Sequence, residues 1–348
     1  MHMSKYIGFA GTYTRQTSEG IYRFELDTVQ GALKNCELAT KVSNPTYLSI
    51  AENNQFLYSV AQEENLGGIY AYKVNQESSA LTKIDAQLTD GAPPCHVNVN
   101  GNKLVTSNYH QGTVGIFHVN EEQGTVSKGS FVTHTGNGPH KRQEKPHVHY
   151  AGFSPDENYI FACDLGTDEV VTYKVEDKEL HRIATLKVKA GSGPRHLTFH
   201  PNGEYAYLLT ELSSEVVVLA YDKEKGTFEE KQYIKTIPDS FTETNDASAI
   251  QISSDGRFVY TGNRGHNSVA IFQVNEQTLE LSFIEHVSSN GEWPRDFVLD
   301  PSESFLVVSN QHTENIVLFR RDIESGKLTE TGSEIDVPEV VCLKFLSC

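Results

Sequence analysis

The chain has 348 residues, of which 38% are hydrophobic, and its 46 acidic and 29 basic side chains give a formal net charge of −17. This length suits one large all-β domain, whereas the charge argues against general binding to nucleic acid phosphates or anionic lipid surfaces. The longest apolar runs, such as Val216 to Tyr221, are far shorter than the roughly 20 residues of a membrane helix. We therefore expect a cytoplasmic protein that has neither nucleic-acid nor membrane partners.

The predicted elements are all strands, and they begin at the N-terminus with three: KYIGFAG, GIYRFEL and LKNCELATKV. From residue 44 onward, a unit of about 50 residues repeats, and such a period is typical of stacked or circular repeat folds. Each unit opens with a short strand of alternating polarity: YLSI (47–50), HVNV (96–99), YAGF (150–153), HLTF (196–199), AIQI (249–252) and DFVL (296–299). A turn rich in Pro, Asn, Asp and Gly follows, and then three further strands. A seventh opening strand, VCLKF, occupies residues 341–345.

Four antiparallel strands per unit, without helical periodicity, predict the blades of a β-propeller. Six complete units fit between Asn44 and Glu339, and the N-terminal and C-terminal strands together complete a seventh blade. We therefore expect an all-β, seven-bladed propeller that forms a single domain over residues 1–348. Trp293 is the only tryptophan, which argues against WD-type repeats.

Antiparallel pairing brings the start of each first strand and the end of each second strand to one face, beside the predicted central channel. The second-strand ends align in one column: Gly11, Gln62, Asn108, Asp164, Glu211, Asn263 and Asn310. Asn and Asp commonly satisfy backbone groups at strand ends, and we expect this of most of the column. Glu211 is different because Glu is a poor turn former, and Arg264 follows Asn263 where its long side chain can reach the channel.

The starts of three first strands are basic or carry imidazoles: Pro146-His147-Val148-His149, Gly193-Pro194-Arg195-His196 and Trp293-Pro294-Arg295-Asp296. Such groups bind carboxylates and phosphates. A single His more often caps a strand or binds a buried carbonyl, but convergence with Arg195, Glu211 and Arg264 favours a functional His147. Both interpretations stay open for other candidate substrate contacts: His149, His196, Asn263, His266, Asp164, Asn310 and Asn108. His134 and His140 are expected to be solvated loop residues.

Five scattered cysteines without a C-x-x-C pair indicate reduced thiols rather than a disulfide framework or a structural zinc site. The chain contains no P-loop, G-x-S-x-G, H-E-x-x-H or complete G-x-G-x-x-G motif. We therefore expect neither a cofactor nor a metal.

Over essentially its whole length, the sequence resembles the seven-bladed β-propeller lactonase family, which includes propeller-type 6-phosphogluconolactonases and is related to the fungal carboxymuconate cyclase. Its most specific stretches are residues 145–175, 193–219, 252–272 and 293–319. The resemblance implies a site built from His147 of P-H-x-H, Arg195 of G-P-R-H, Glu211 of T-E-L and Arg264 of N-R-G-H. The sequence departs from the family at Trp293-Pro294-Arg295-Asp296-Phe297, where the family usually has G-P-R-H-F.

The function that this resemblance implies is metal-independent hydrolysis of a sugar lactone, with 6-phospho-D-glucono-1,5-lactone of the oxidative pentose phosphate route as the expected substrate. Glu211 would be the base, Arg195 would stabilise the oxyanion, Arg264 would hold the phosphate or a ring hydroxyl, and His147 would protonate the leaving oxygen or bind phosphate. A carboxylate between two guanidiniums should have a lowered pKa, so Glu211 would alternatively orient Arg195 and leave His147 as the base. The competing hypotheses are another lactonase or cyclase of the family, and a non-catalytic propeller that binds a small anion or a protein.

Overall fold

The computed structural model describes residues 5–347, and of Lys128 only the backbone. The regular elements of these residues are 28 strands. In chain order they are β1 (Lys5–Thr12), β2 (Gly20–Asp27), β3 (Ala32–Lys41), β4 (Leu48–Ile50), β5 (Phe56–Glu63), β6 (Leu66–Val74), β7 (Leu81–Asp90), β8 (His96–Asn100), β9 (Lys103–Asn108), β10 (Thr113–Val119), β11 (Val126–Thr133), β12 (Val148–Phe153), β13 (Ile160–Asp164), β14 (Glu169–Glu176), β15 (Glu179–Lys187), β16 (Pro194–Phe199), β17 (Tyr205–Thr210), β18 (Glu215–Asp222), β19 (Thr227–Lys235), β20 (Asp246–Ile252), β21 (Phe258–Arg264), β22 (Ser268–Val274), β23 (Leu281–Ser288), β24 (Pro294–Leu299), β25 (Phe305–Asn310), β26 (Asn315–Arg321), β27 (Leu328–Asp336) and β28 (Val340–Phe345).

The strands form seven four-stranded sheets. Six sheets take four consecutive strands each, from β4–β7 to β24–β27, and the seventh has the order β28-β1-β2-β3. Because every repeat unit of the sequence yields one such sheet, the predicted seven-bladed β-propeller with four-stranded antiparallel blades is confirmed.

The seventh blade joins the two ends of the chain, as the sequence predicts. Gly8 of β1 lies opposite Phe345 of β28, and Ala10 lies opposite Leu343. The rings of Phe24 and Phe345 meet edge to face with centroids 5.4 Å apart. Backbone pairing and side-chain packing therefore both hold β28 against β1.

The chain divides into two compact units: the described parts of residues 1–104, 117–128 and 289–348, and residues 105–116 with 129–288. In the first unit, Phe9 and Ile21 pack with Leu57 of a neighbouring sheet. In the second, Tyr207 packs with Phe272. Within each unit the alternating strands thus bury their apolar faces between neighbouring sheets.

Four cysteines of the described chain, Cys36, Cys95, Cys163 and Cys342, are free thiols, and Cys348 lies outside the described residues. Burial, helped by Asp336, raises the pKa of Cys36 to about 11. Between residues 5 and 347 there is no helix with the length and apolar character needed to cross a membrane.

Candidate active site

Glu211 is the centre of a buried cluster of arginines. Its Oε2 accepts hydrogen bonds from Arg195 Nε and from Arg264 Nη2, both over 2.8 Å. Its Oε1 accepts a hydrogen bond from Nη2 of Arg142. Glu211, Arg195 and Arg264 are each no more than 4% exposed. Three of the four residues that the family resemblance implies are therefore in direct contact.

A β-bulge at the start of β16 sets the position of Arg195. Pro194 pairs with Thr210 and His196 pairs with Leu209, so Arg195 is the extra residue of the strand. Bulges re-aim side chains at the ends of strands. Nη1 of Arg195 donates to the carbonyl oxygen of Ser248, which itself lies in an irregular part of β20. The guanidinium thus links two neighbouring sheets of one compact unit.

Arg264 is the last residue of β21 and lies opposite Asp246 of β20. Its Nε donates to the carbonyl oxygen of Asp246 over 3.1 Å, and its Nη2 donates to that of Ala247 over 3.0 Å. The side-chain carboxylate of Asp246 pairs with Arg142 Nη1 at 2.9 Å. Backbone carbonyls and carboxylates therefore hold both guanidiniums in fixed orientations.

The electrostatics of Glu211 follow from this geometry. Burial by itself would raise the pKa of its carboxyl, but the charges of Arg264, Arg195 and Arg142 outweigh burial and hold the pKa well below its usual range. Glu211 is consequently an anion at neutral pH, and its charge orders the three guanidiniums.

His147 directly precedes β12, and it is held at three points. Its backbone N–H donates to Asp164 Oδ1 over 2.8 Å, and its Nδ1 donates to the carbonyl oxygen of Tyr109 over 2.8 Å. Its Nε2 lies 3.2 Å from Glu144 Oε1, and its ring stacks on Tyr109 with centroids 4.2 Å apart. Since the Tyr109 carbonyl can only accept, Nδ1 donates to it, and Nε2 faces the Glu144 carboxylate, which is also an acceptor.

A chain of contacts joins His147 to the arginine cluster. Arg195 Nη1 lies 3.3 Å from His196 Nε2, and the His196 ring lies 5.2 Å from that of His149. His149 meets Tyr109 edge to face at 6.0 Å, and Tyr109 hydrogen-bonds to Arg142. The structure therefore brings together all four residues expected at the catalytic centre, and places His149 and His196 between them.

The four other strand-end candidates are engaged in structural hydrogen bonds. Asp164, Asn263 and Asn310 have no exposed surface, and Asn108 is 5% exposed. Their polar atoms bind neighbouring groups: Asn108 Oδ1 accepts from the backbone of His110 and Gln111, Asp164 Oδ1 accepts from His147 and Gly166, Asn263 Nδ2 donates to the Thr236 carbonyl, and Asn310 Nδ2 donates to the Ser289 carbonyl. These hydrogen bonds are the turn chemistry that the sequence also allowed, and the contacts of these residues with substrate stay predictions.

His266 lies in a separate group of aromatic side chains. Its Nδ1 is 2.7 Å from Ser268 Oγ, and its ring lies 4.9 Å from Phe241 and 5.1 Å from His286. Burial and the neighbouring His286 lower the pKa of His266. These contacts give His266 a packing environment rather than a place in the contact chain around Glu211.

Two residues of the site, Arg142 and Asp246, are absent from the candidates that the sequence suggested. Arg142 lies in the irregular segment between β11 and β12, which has no counterpart in the other repeats. The only sequence signal for Arg142 is its position just before the P-H-x-H stretch.

The expectation of a solvated loop is wrong for His134, whose ring is buried between Asp164 Oδ2 at 2.7 Å and the Tyr173 hydroxyl at 2.6 Å.

A cavity of about 430 Å³ borders this cluster. Its walls include Arg142 and Asp246, and the complete lining is His140, Lys141, Arg142, Leu212, Ser213, Ser214, Ile237, Glu243, Thr244, Asn245 and Asp246. The cavity is large enough for a small ligand, and no described group of three or more His, Cys, Asp and Glu side chains could hold a metal ion.

The fold and the site together define a β-propeller that carries an arginine–glutamate–histidine centre beside a polar cavity. Residues 7–345 match the family model described as lactonase, 7-bladed beta-propeller. The chain belongs to this family.

Individual relatives are similar over the full chain. A 6-phosphogluconolactonase of Bacillus subtilis is 51% identical over 346 residues, which are 99% of each chain. A solved protein from Lactobacillus plantarum is 40% identical, with a TM-score of 0.95, and the match covers 99% of this chain and 100% of that one. The periplasmic gluconolactonase of Pseudomonas aeruginosa is 31% identical, with a TM-score of 0.92 and coverage of 99% of both chains.

Proposed function

We propose that the protein hydrolyses 6-phospho-D-glucono-1,5-lactone to 6-phosphogluconate. Membership of the lactonase family makes it a lactone hydrolase, and the 51% identical relative from Bacillus subtilis carries the name 6-phosphogluconolactonase. The observation that supports the proposal most directly is the buried Glu211, which holds three guanidiniums beside a cavity.

The arrangement suits the electrostatic demand of ester hydrolysis. Attack of water on the lactone carbonyl places a negative charge on the carbonyl oxygen, and preoriented cationic donors stabilise that charge. Three guanidiniums against the carboxylates of Glu211 and Asp246 leave an excess of one positive charge in the cluster. In the proposed mechanism, Arg195 faces this oxyanion, and Glu211 keeps its guanidinium in place.

His147 is the proposed carrier of the proton. The lowered pKa of Glu211 makes its carboxylate a weak base, which favours the alternative in which Glu211 orients arginines. In the proposed cycle, the exposed Glu144 side chain moves away from a neutral His147, whose Nε2 then takes a proton from the attacking water and returns it to the ring oxygen as the C–O bond breaks. Tyr109 fixes the tautomer by accepting from Nδ1.

The test is the rate of lactone opening above the spontaneous rate, with the phosphorylated and the unphosphorylated lactone as parallel substrates. His147→Gln should lower kcat by about a hundredfold or more, as expected for removal of a general acid–base group. His181→Gln, on the exposed surface of β15, is the matched control and should keep wild-type rates. No enzymatic rate on either lactone would overturn the proposal.

The competing binding-module hypothesis predicts a broad exposed apolar patch. The large hydrophobic side chains exposed in the described chain instead belong to different sheets or their turns: Val29, Phe131, Ile183, Phe283 and Ile323. This distribution favours the enzyme. Equal or better hydrolysis of the unphosphorylated lactone would assign the protein to another lactonase specificity, as in the gluconolactonase named above.

The proposal also includes a cytoplasmic location and a step in the oxidative pentose phosphate route. We further propose that a single domain carries out this step and that the protein has neither nucleic-acid nor membrane partners. Since the Pseudomonas relative is named a periplasmic protein, cell fractionation with a compartment marker tests the location. Recovery outside the cytoplasmic fraction would overturn that part of the proposal.

A further inference from the structure

Three consecutive residues, His140, Lys141 and Arg142, line one wall of the 430 Å³ cavity. We call this segment the basic turn. The chain carries a net charge of −17, whereas the two cations Lys141 and Arg142 balance the two carboxylates of the lining, Glu243 and Asp246. In so acidic a chain, a wall without excess negative charge is a place where a lysine ammonium can hold an anionic ligand.

Gln143, which directly follows the basic turn, holds it in place through hydrogen bonds. Its side chain is fully buried, and its Nε2 donates to the Leu165 carbonyl over 2.8 Å and to Asp168 Oδ1 over 2.7 Å. Its Oε1 accepts the backbone N–H of His140 over 3.0 Å, and its own N–H donates to the His140 carbonyl over 2.8 Å. The basic turn is therefore rigidly positioned, which lowers the entropic cost of binding a ligand.

The side chains of the basic turn differ in their availability. Arg142 is 34% exposed and pairs with Asp246, so that the Asp246 carboxylate is neutralised. Lys141 is exposed, and His140 Nδ1 accepts the backbone N–H of Arg142 over 3.2 Å, which leaves the proton of a neutral ring on Nε2. Hydroxyls of Ser213, Ser214 and Thr244 add neutral donors to the same lining.

Arg264, the phosphate ligand that the sequence suggested, is less suitable. It is 4% exposed, and its guanidinium is bonded to two backbone carbonyls and to Glu211. A phosphate dianion requires several donors at a site that it can enter. The basic turn is more accessible, because Lys141 is exposed and Arg142 is 34% exposed, although the terminal nitrogens of Arg142 also pair with Glu211 and Asp246.

We propose that the basic turn is the phosphate subsite, in which Lys141 and Arg142 bind the phosphate of the substrate while the lactone ring faces the Glu211 cluster. This assignment rests on the proposed function. It makes Lys141 a determinant of specificity: its cation contacts the phosphate and not the carbonyl group that reacts.

Lys141→Ala tests the assignment, and Lys174→Ala on β14, which removes an exposed lysine paired only weakly with Glu176 at 3.6 Å, is the matched control. For Lys141→Ala, kcat/KM on the phosphorylated lactone should fall about tenfold through KM, the contribution of one charge-assisted hydrogen bond. The fall on the unphosphorylated lactone should be much smaller. Lys174→Ala should match wild type on both substrates.

Glu243→Gln should change the substrate preference in the direction opposite to Lys141→Ala, because this exposed carboxylate lies in the lining of the same cavity. Its removal should increase the preference for the phosphorylated lactone severalfold. Equal effects of Lys141→Ala on both lactones, or no effect on either, would overturn the subsite. A wild-type enzyme that opens both lactones equally well would also overturn it, while leaving lactone hydrolysis intact.

The proposed function can fail separately, if wild-type protein opens neither lactone. In that case, calorimetric titration with 6-phosphogluconate and with gluconate judges the subsite alone. Preferential binding of 6-phosphogluconate that Lys141→Ala weakens would support the subsite. Absence of that preference, or no change in Lys141→Ala, would overturn it.

Discussion

Nε of Arg195 on β16 donates to Oε2 of Glu211, which directly follows β17, over 2.8 Å, and both residues are almost completely buried. A buried carboxylate is costly unless it is paired, and here Arg264 shares the same oxygen. The carboxylate of Glu211 is therefore a structural counter-ion for the guanidiniums as well as part of the candidate site.

Glu211→Gln should both inactivate and destabilise the protein. The substitution nearly preserves volume but leaves guanidiniums buried without their counter-ion, which should lower the free energy of unfolding by about 3 kcal/mol. Urea denaturation and kcat measure the two effects. Glu215→Gln, four residues on and paired with Lys189 at only 3.9 Å, is the control. A Glu211→Gln variant with wild-type turnover and stability would contradict this role.

The stability difference between wild type and Glu211→Gln should depend on pH. Because the folded-state pKa of Glu211 is lowered from its ordinary value of 4.5, its contribution is fully present above that value and is lost as the pH falls toward the folded-state pKa. Urea midpoints measured from about pH 7 down to about pH 3 should therefore draw closer below the ordinary value of 4.5, without meeting while the pH stays above the folded-state pKa. A constant difference across this range would be inconsistent with the lowered pKa.

Arg195→Lys should damage the enzyme even though it keeps the positive charge. Lysine offers a single nitrogen, whereas Arg195 reaches Glu211 through Nε and the Ser248 carbonyl through Nη1. If Arg195 stabilises the oxyanion, kcat should fall about a hundredfold or more. Arg182→Lys on the exposed β15 is the control. A rise in KM with unchanged kcat would instead assign Arg195 to ground-state binding.

Deletion of residues 338–348 should destabilise the whole protein, because it removes β28 and exposes the edge of β1. Circular dichroism and the fluorescence of Trp293 should report one coincident transition in wild type and a lower melting temperature in the truncated chain. If the truncated chain does not fold, Leu343→Ala tests the same prediction. Leu343 is fully buried, and shortening its side chain should lower the free energy of unfolding by about 2–5 kcal/mol. Exposed Ser347→Ala is the control, and an unchanged melting temperature after deletion would show that the termini contribute little.

The sequence is sufficient to predict the fold because every repeat contains the same pattern of strands and turns. Apolar alternation and turn residues mark each strand, so that the first strands predicted at 196–199 and 296–299 fall inside β16 and β24. The β-bulge at Arg195 has no such signal. One extra residue in a strand changes the direction of a side chain without changing the local composition.

The site was only partly predictable for a related reason. His147 and Arg195 lie at the starts of first strands, Glu211 and Arg264 lie at the ends of second strands, and antiparallel pairing places these ends on one face. Arg142 lies in a segment that occurs once, so no repeat gives its position. His134 stands among polar neighbours in the sequence, and only the tertiary structure shows its burial between Asp164 and Tyr173.

Asp164 binds both ends of that segment. Its Oδ2 lies 2.7 Å from His134 Nδ1, and its Oδ1 accepts the backbone N–H of His147. One carboxylate therefore fixes both ends of the segment that carries the cavity-lining residues His140, Lys141 and Arg142. Substitutions among those lining side chains offer evolution a route to altered substrate preference in which the backbone of His147 stays where Asp164 holds it.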